Sequence, residues 1–193
     1  MTRFRFDDIS VNTDMELTNK MKDYLYENIP LCEVIYCISP IVFDMSNEES
    51  QERRESLFPQ ILHAHSDYRE FYKAELCGIP EIPSDVTTAG HALIHTDHRL
   101  LPAAAQEMSI ITSCSLAKSN IFCPPFNKWN KITQEICDEH GIELLKFEDG
   151  WRSMEHNIYD SNQELYYCHT RAFNMKTWRM WFEEKELHAK KIW

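Results

Sequence analysis

Two adjacent carboxylates, Asp7 and Asp8, close the short stretch Phe4-Arg5-Phe6 near the start of the chain. Two imidazoles four residues apart, His91 and His95, stand in mid-chain, with Asp97 and His98 just beyond them. Cys123-Pro124-Pro125-Phe126 ends a further apolar run, and His169 ends the run Leu165-Tyr166-Tyr167-Cys168. One carboxylate and two imidazoles are a sufficient protein donor set for a catalytic zinc that keeps positions open for water and substrate. A second carboxylate beside that set can act as a general base, and a separate histidine as a general acid. Together these residue types describe metal-assisted hydrolysis.

Groups so far apart in sequence can cooperate only where a fold gathers them. In parallel α/β architectures, working residues collect where strands end and loops begin. Arg3–Phe6 reads as a first strand. Leu17, Met21, Tyr24 and Leu25 recur at helical spacing over Met15–Asn28, with Pro30 just past the end. Glu33–Ile38 reads as a second strand, stopped at Ser39-Pro40, and a short third strand ends near Gly90–His95. A helix follows over Pro102–Ala117, then a strand at Asn120–Cys123 broken by the double proline. Asn127–His140 is expected to be helical with Gly141 as its C-cap, Ile142–Phe147 and Glu164–Cys168 to be strands, and Asn174 to Lys190 a final amphipathic helix. Ser46–Leu76 is charged and helical in composition, and residues 78–83 form a loop. About six strands alternating with helices predict one α/β domain over residues 1–193, either a small barrel or an open sheet.

Length and charge narrow the field. The 193 residues suffice for one ordinary domain. Twenty Lys and Arg against 31 Asp and Glu give a net charge of −11, which opposes general binding to nucleic acid or to anionic lipid. No apolar run approaches the roughly 18–20 residues of a membrane span. The opening residues Met-Thr-Arg-Phe-Arg-Phe-Asp-Asp lack the apolar centre of a secretory signal, so a soluble, cytoplasmic protein is expected. The seven cysteines are scattered singly without a CxxC pair. That pattern excludes a zinc ribbon or thioredoxin motif and fits buried thiols in a reducing compartment.

In this order, the chemical residues resemble the motifs of the polysaccharide deacetylase family (NodB-homology domain), especially its short intracellular branch linked to surface-saccharide synthesis. The first motif is matched by Phe4-Arg5-Phe6-Asp7-Asp8 and the second by His91-Ala92-Leu93-Ile94-His95. The third, Arg-Pro-Pro-Tyr in typical members, is matched by Cys123-Pro124-Pro125-Phe126, and the last by Leu165-Tyr166-Tyr167-Cys168-His169. The likeness runs from about Thr2 to Ala172. It implies an incomplete (β/α) barrel that removes an N-acetyl or related acyl-amide group from an amino-sugar-containing saccharide. It also implies roles: Asp8, His91 and His95 as ligands of Zn²⁺ or another divalent transition metal, Asp7 as base toward the attacking water, and His169 as acid toward the departing amine. The backbone N–H of Phe126 would hold the oxyanion, and Pro125, Asn127 and Trp151 would line the saccharide pocket. Cys123 departs from the family, because typical members carry there an arginine that orients the catalytic aspartate, a task a thiol cannot perform.

Plainer readings stand beside these. Paired aspartates ahead of a helix can cap it or complement its dipole. His98 is a rival ligand, since His95 and His98 are three apart and could share a helical face. His63-Ala64-His65 offers a second metal pair, although helical apolar spacing from Phe58 to Tyr72 would aim the two rings apart. Trp178, Trp181 and Phe182 sit at the spacing of one helix face rather than of a sugar platform. Two other functions remain open at this point. One is a non-catalytic saccharide-binding or regulatory domain on the same scaffold, and the other a metal-dependent hydrolase of a different amide or ester.

Overall fold

Strand β1 (Arg3–Ile9) alternates in residue type, and the alternation decides what lies on each side of the sheet. Phe4 and Phe6 pack with Met21 and Leu25 of helix α1 (Met15–Asn28) and with Val34, Tyr36 and Ile38 of strand β2 (Glu33–Ile38). Arg5 and Asp7 lie on the opposite side. There Ile35 and Cys37 of β2 cluster with Ala89, Ile121, Cys123 and Leu145. The computed structural model describes residues 3–11, 13–29, 31–42, 76–93, 95, 97–146, 158–160 and 165–169. Helix α1 begins where expected because Asp14 caps it, its carboxylate accepting the Leu17 N–H at 3.0 Å. The capping role open to Asp7 and Asp8 is therefore filled by a different aspartate.

The remaining elements are β3 (Ile41–Val42), β4 (Leu76–Cys77), β5 (Thr87–Gly90), α2 (Ala103–Ala117), β6 (Ile121–Phe122), α3 (Lys131–Glu139), β7 (Glu143–Leu144), β8 (Ile158–Asp160) and β9 (Leu165–His169). Seven strands form one sheet in the order β7-β6-β5-β2-β1-β9-β8, while β3 and β4 pair separately and antiparallel. Every neighbouring pair from β7 across to β9 is parallel, and β8 adds antiparallel to β9. This is an α/β fold with a parallel sheet. Chain order runs unreversed from β1 out to β7, and a late strand, β9, returns to the free side of β1. Among the described residues no helix is long and apolar enough to cross a membrane.

The sheet is curled. Strand β7 stands four places from β1, which in a flat sheet is roughly 19 Å at about 4.8 Å per strand. Yet Arg3 Nη1 reaches Glu143 Oε1 at 2.5 Å and Arg5 Nη1 donates to the Leu145 carbonyl at 3.3 Å. An arginine side chain cannot bridge the flat distance, so the sheet bends toward the side that carries Arg5, Asp7 and Cys37. Backbone bonds continue past the strand ends: Ser39 N–H to Ile9 O, His91 N–H to Ile38 O, Cys123 N–H to Gly90 O and Leu145 N–H to Phe122 O, all at 2.8–2.9 Å. These bonds hold the C-terminal strand ends side by side.

Several expectations change in detail. Helix α3 starts at Lys131 rather than Asn127, because Phe126 and Asn127 are left-handed (φ 54° and 52°) and Asn130 forms a capping box with Thr133. The sixth and seventh strands are only two residues long within the described chain, and β3, β4 and β8 carry no apolar alternation long enough to announce them. The helical stretch expected over Ser46–Leu76 lies outside the described residues except for Leu76, which is in strand β4, and the helix expected over 174–190 lies wholly outside them.

Gly90, the last residue of β5, lies directly against α2. A Cβ there would stand 2.7 Å from the Cys114 backbone nitrogen and 2.8 Å from Ser113 Oγ. Backbone cannot yield cheaply, so Gly90→Ala is expected to lose about 1–3 kcal/mol through overpacking. A thermal melt should show a midpoint several degrees lower; an unchanged midpoint would mean that α2 does not press on β5.

Candidate metal centre

The centre begins with an irregularity in β1. Register with β2 runs Phe6↔Tyr36 and then Ile9↔Ile38, so Asp7 and Asp8 together oppose the single residue Cys37. This is a β-bulge with Asp8 in the left-handed region at φ 62°. In a regular strand neighbouring side chains point to opposite faces, and Asp8 would follow Phe6 into the apolar layer beneath α1. The extra residue cancels that alternation. It returns Ile9 to the apolar cluster and leaves Asp8 at the strand end beside Asp7.

His91 follows β5 immediately and is fully buried. Its Nδ1 lies 2.7 Å from the Cys123 carbonyl, which can only accept, so Nδ1 carries the proton and Nε2 presents a lone pair. Among the described residues that Nε2 has no hydrogen-bond partner. The nearest carboxylate oxygens stand off at 3.5 Å (Asp8 Oδ1) and 3.8 Å (Asp7 Oδ2). Ala92 turns the chain with a φ of 62°, and His95 brings its Nε2 to 3.0 Å from Asp8 Oδ1. The Phe126 ring meets the His95 ring edge-on at 4.2 Å. Asp8, His91 and His95 thus turn one ligand-type atom each into a space where all lie within 4.8 Å of one another.

Left-handed backbone at a non-glycine residue costs on the order of 1–3 kcal/mol. Four of the six described non-glycine residues with positive φ, namely Asp8, Ala92, Phe126 and Asn127, belong to this one edge. Each costs about what burial of one aliphatic side chain returns. The fold carries that strain where the side chains must converge.

Asp7 is held by Arg5 from two residues away on the same face. Arg5 Nε donates to Oδ1 at 2.9 Å and Nη2 to Oδ2 at 2.6 Å, with both side chains almost fully buried. Burial pushes the Asp7 carboxyl up, but the Arg5 charge and hydrogen bonds, with His91, outweigh it and hold the group below the usual carboxylate range. Burial would lower His91, yet the facing carboxylates of Asp7 and Asp8 raise it. Beside Arg5, Cys37 donates its thiol to Cys123 Sγ at 3.1 Å. Burial drives Cys37 well up, whereas for Cys123 the effect of burial is overcome by that hydrogen bond and by Arg5.

The other expected site residues are distributed as follows. Pro125 is buried and Phe126 exposed in a 3-10 turn after β6, where the Asn127 N–H donates to Pro124 O and the Lys128 N–H to Pro125 O. His98 is fully buried, with Nε2 3.2 Å from Ser109 Oγ of α2 and its ring against Phe122. Asp97 caps the short turn at His98–Leu100 and pairs with Arg99. The pair that meets Asp8 is therefore His91 with His95. His169 ends β9, and the ladder registers it opposite Asp7. Trp151, His63 and His65 lie outside the described residues. Arg5 is the site residue that sequence reasoning passed over, although an arginine two positions before Asp7 in a strand shares its face by period two.

No protein-family model matches this chain, and no curated protein matches it either.

The residues present fit a divalent transition metal. The donor set of one carboxylate and two imidazoles suits zinc, and cobalt, nickel or iron can occupy such a site. The buried, lone-pair-bearing Nε2 of His91 is the group that a bound cation would satisfy.

Proposed function

We propose that this chain is a metal-dependent hydrolase of the polysaccharide deacetylase type, acting on an N-acetyl or related acyl-amide group of an amino-sugar-containing saccharide. The observation that carries the reading is the convergence of Asp8, His91 and His95 at one strand edge, with Asp7 held separately beside them. The unreversed strand order and the return of β9 to β1 in a curled sheet support an incomplete barrel, since strands around a barrel follow chain order and the last lies beside the first.

A divalent cation held by Asp8, His91 and His95 would polarise the amide carbonyl and lower the pKa of water at neutral pH. Arg5 keeps Asp7 ionised, in the form that can accept a proton from the attacking water. An amine leaves poorly until protonated, and His169, in register with Asp7 on the neighbouring strand, is the residue for that second transfer. The left-handed turn at Phe126 and Asn127 sets the Phe126 ring against His95, and the Phe126 N–H would stabilise a developing oxyanion. Pro125, Asn127 and Trp151 would contact the sugar.

The test is acetate release from N-acetylglucosamine oligosaccharides by zinc-loaded and EDTA-treated protein. Release that requires zinc is expected. Binding of the same sugars without release would favour a non-catalytic saccharide-binding domain. Zinc-dependent cleavage of simple aryl esters alone would favour a hydrolase of another ester or amide. Cys123 alone pointed toward loss of activity, but the Arg5 fork on Asp7 supplies the guanidinium that position 123 lacks.

A further inference from the structure

Asp7 and Asp8 are chemically identical neighbours at one strand end, yet only Asp8 joins the ligand cluster. The bulge brings Asp8 to it, but the bulge also leaves Asp7 close, with Oδ2 only 3.8 Å from His91 Nε2. What separates the two is Arg5. Its Nε and Nη2 take both Asp7 oxygens in a parallel fork, and its Nη1 is tied to the Leu145 carbonyl across the curled sheet. A carboxylate gripped on both oxygens by a guanidinium is a poor metal ligand, because its best lone pairs are used and a positive charge stands behind it.

We propose that Arg5 is the positioning residue that assigns the two aspartates their different roles: its fork keeps the Asp7 carboxylate out of the metal's ligand set and leaves Asp8 as the single carboxylate ligand. The inference rests on the metal-centre reading above and deepens it. Arg5 is held on β1 by its own strand and tied to the Leu145 carbonyl just past the end of β7, and Cys37 and Cys123 lie close to its charge.

Cobalt(II) is the probe, because its visible absorption reports the ligand set directly. Wild-type protein should bind one cobalt per chain. In Arg5→Gln the released Asp7 carboxylate should enter the ligand set, altering the cobalt spectrum and tightening binding about tenfold, a change of the size that residues around a metal site impose. Arg5→Lys keeps the charge but loses the fork, and should fall between the two. Adding Asp7→Asn to Arg5→Gln should restore the wild-type spectrum, which a merely structural role for Arg5 would not produce. A wild-type spectrum in Arg5→Gln, or an altered one that persists in the double variant, would overturn the assignment. Removing half of a buried ion pair is destabilising, so circular dichroism accompanies each titration. If Arg5→Gln does not fold, Asp7→Asn alone decides. Cobalt should still bind with a near wild-type spectrum, and loss of binding as complete as in Asp8→Asn would make Asp7 a ligand and overturn the proposal. A wild-type chain that takes up no cobalt at all would instead sink the metal reading itself, and this inference with it.

Discussion

Asp8→Asn and His91→Ala should each abolish stoichiometric zinc binding, on the order of 10³-fold in affinity, while the chain remains folded. That loss exceeds the roughly 10–100-fold typical of residues that only orient a ligand, because each variant removes one of three protein donors. His91 has no substitute, since its Nε2 is delivered by a ring fixed at the Cys123 carbonyl and walled off from solvent. His98, three residues beyond His95, is engaged with Ser109 and Phe122 on the α2 side and would not move in to replace it. Equilibrium dialysis against zinc measures the effect directly, and unchanged zinc content in both variants would refute the ligand set. The pH dependence has a definite sign. The metal needs neutral His91, whose pKa in the free protein lies above the ordinary value of about 6.5. Below that raised pKa binding releases a proton and affinity falls as pH drops, so the weakening begins above pH 6.5. Calorimetry in two buffers of different ionisation enthalpy would count the proton.

Legibility followed the length and periodicity of each segment. Helix α1 and strand β2 coincide with their sequence bounds because α1 carries several turns of apolar residues at helical spacing and β2 an unbroken apolar run, each ending at a cap or a proline. Strands β6 and β7 are so short that their pairing is set by neighbours, through bonds such as Cys123 N–H to Gly90 O, rather than by their own composition. The ligand candidates were visible as residue types at strand ends. Their geometry was not, because it depends on the bulge at Asp7 and Asp8 and on left-handed backbone at Ala92 and Phe126, and side-chain patterning leaves no mark of either. The Cys123 departure illustrates the same limit. Read along one motif, it removes a guanidinium from the catalytic aspartate. Arg5, two residues before Asp7 on β1, restores one, and the closing of that fork is seen only in the three-dimensional arrangement.

Asp7→Asn and His169→Gln should behave in the opposite way to the ligand variants, keeping zinc and losing turnover. Under the proposed mechanism each removes a proton-transfer group, and such groups typically contribute ~10²–10⁴-fold to rate. In Asp7→Asn the amide can still accept one hydrogen bond from Arg5 but can take no proton from water, so hydrolysis should fall within that range while zinc per chain stays at one. The substitution also leaves the Arg5 charge buried without its counter-ion, a loss of about 3–5 kcal/mol when one partner of such a pair is removed. Activity must therefore be compared below the lowered melting temperature. His169 is in register with Asp7 at the end of β9, and its variant tests the other half of the reaction. Protonation of the amine matters for an amide and far less for an ester with a good leaving group. His169→Gln should therefore abolish acetate release from N-acetylated sugar while sparing cleavage of an activated aryl ester. Equal losses on both substrates would remove His169 from the role of acid, and full activity on the amide would remove it from the mechanism altogether.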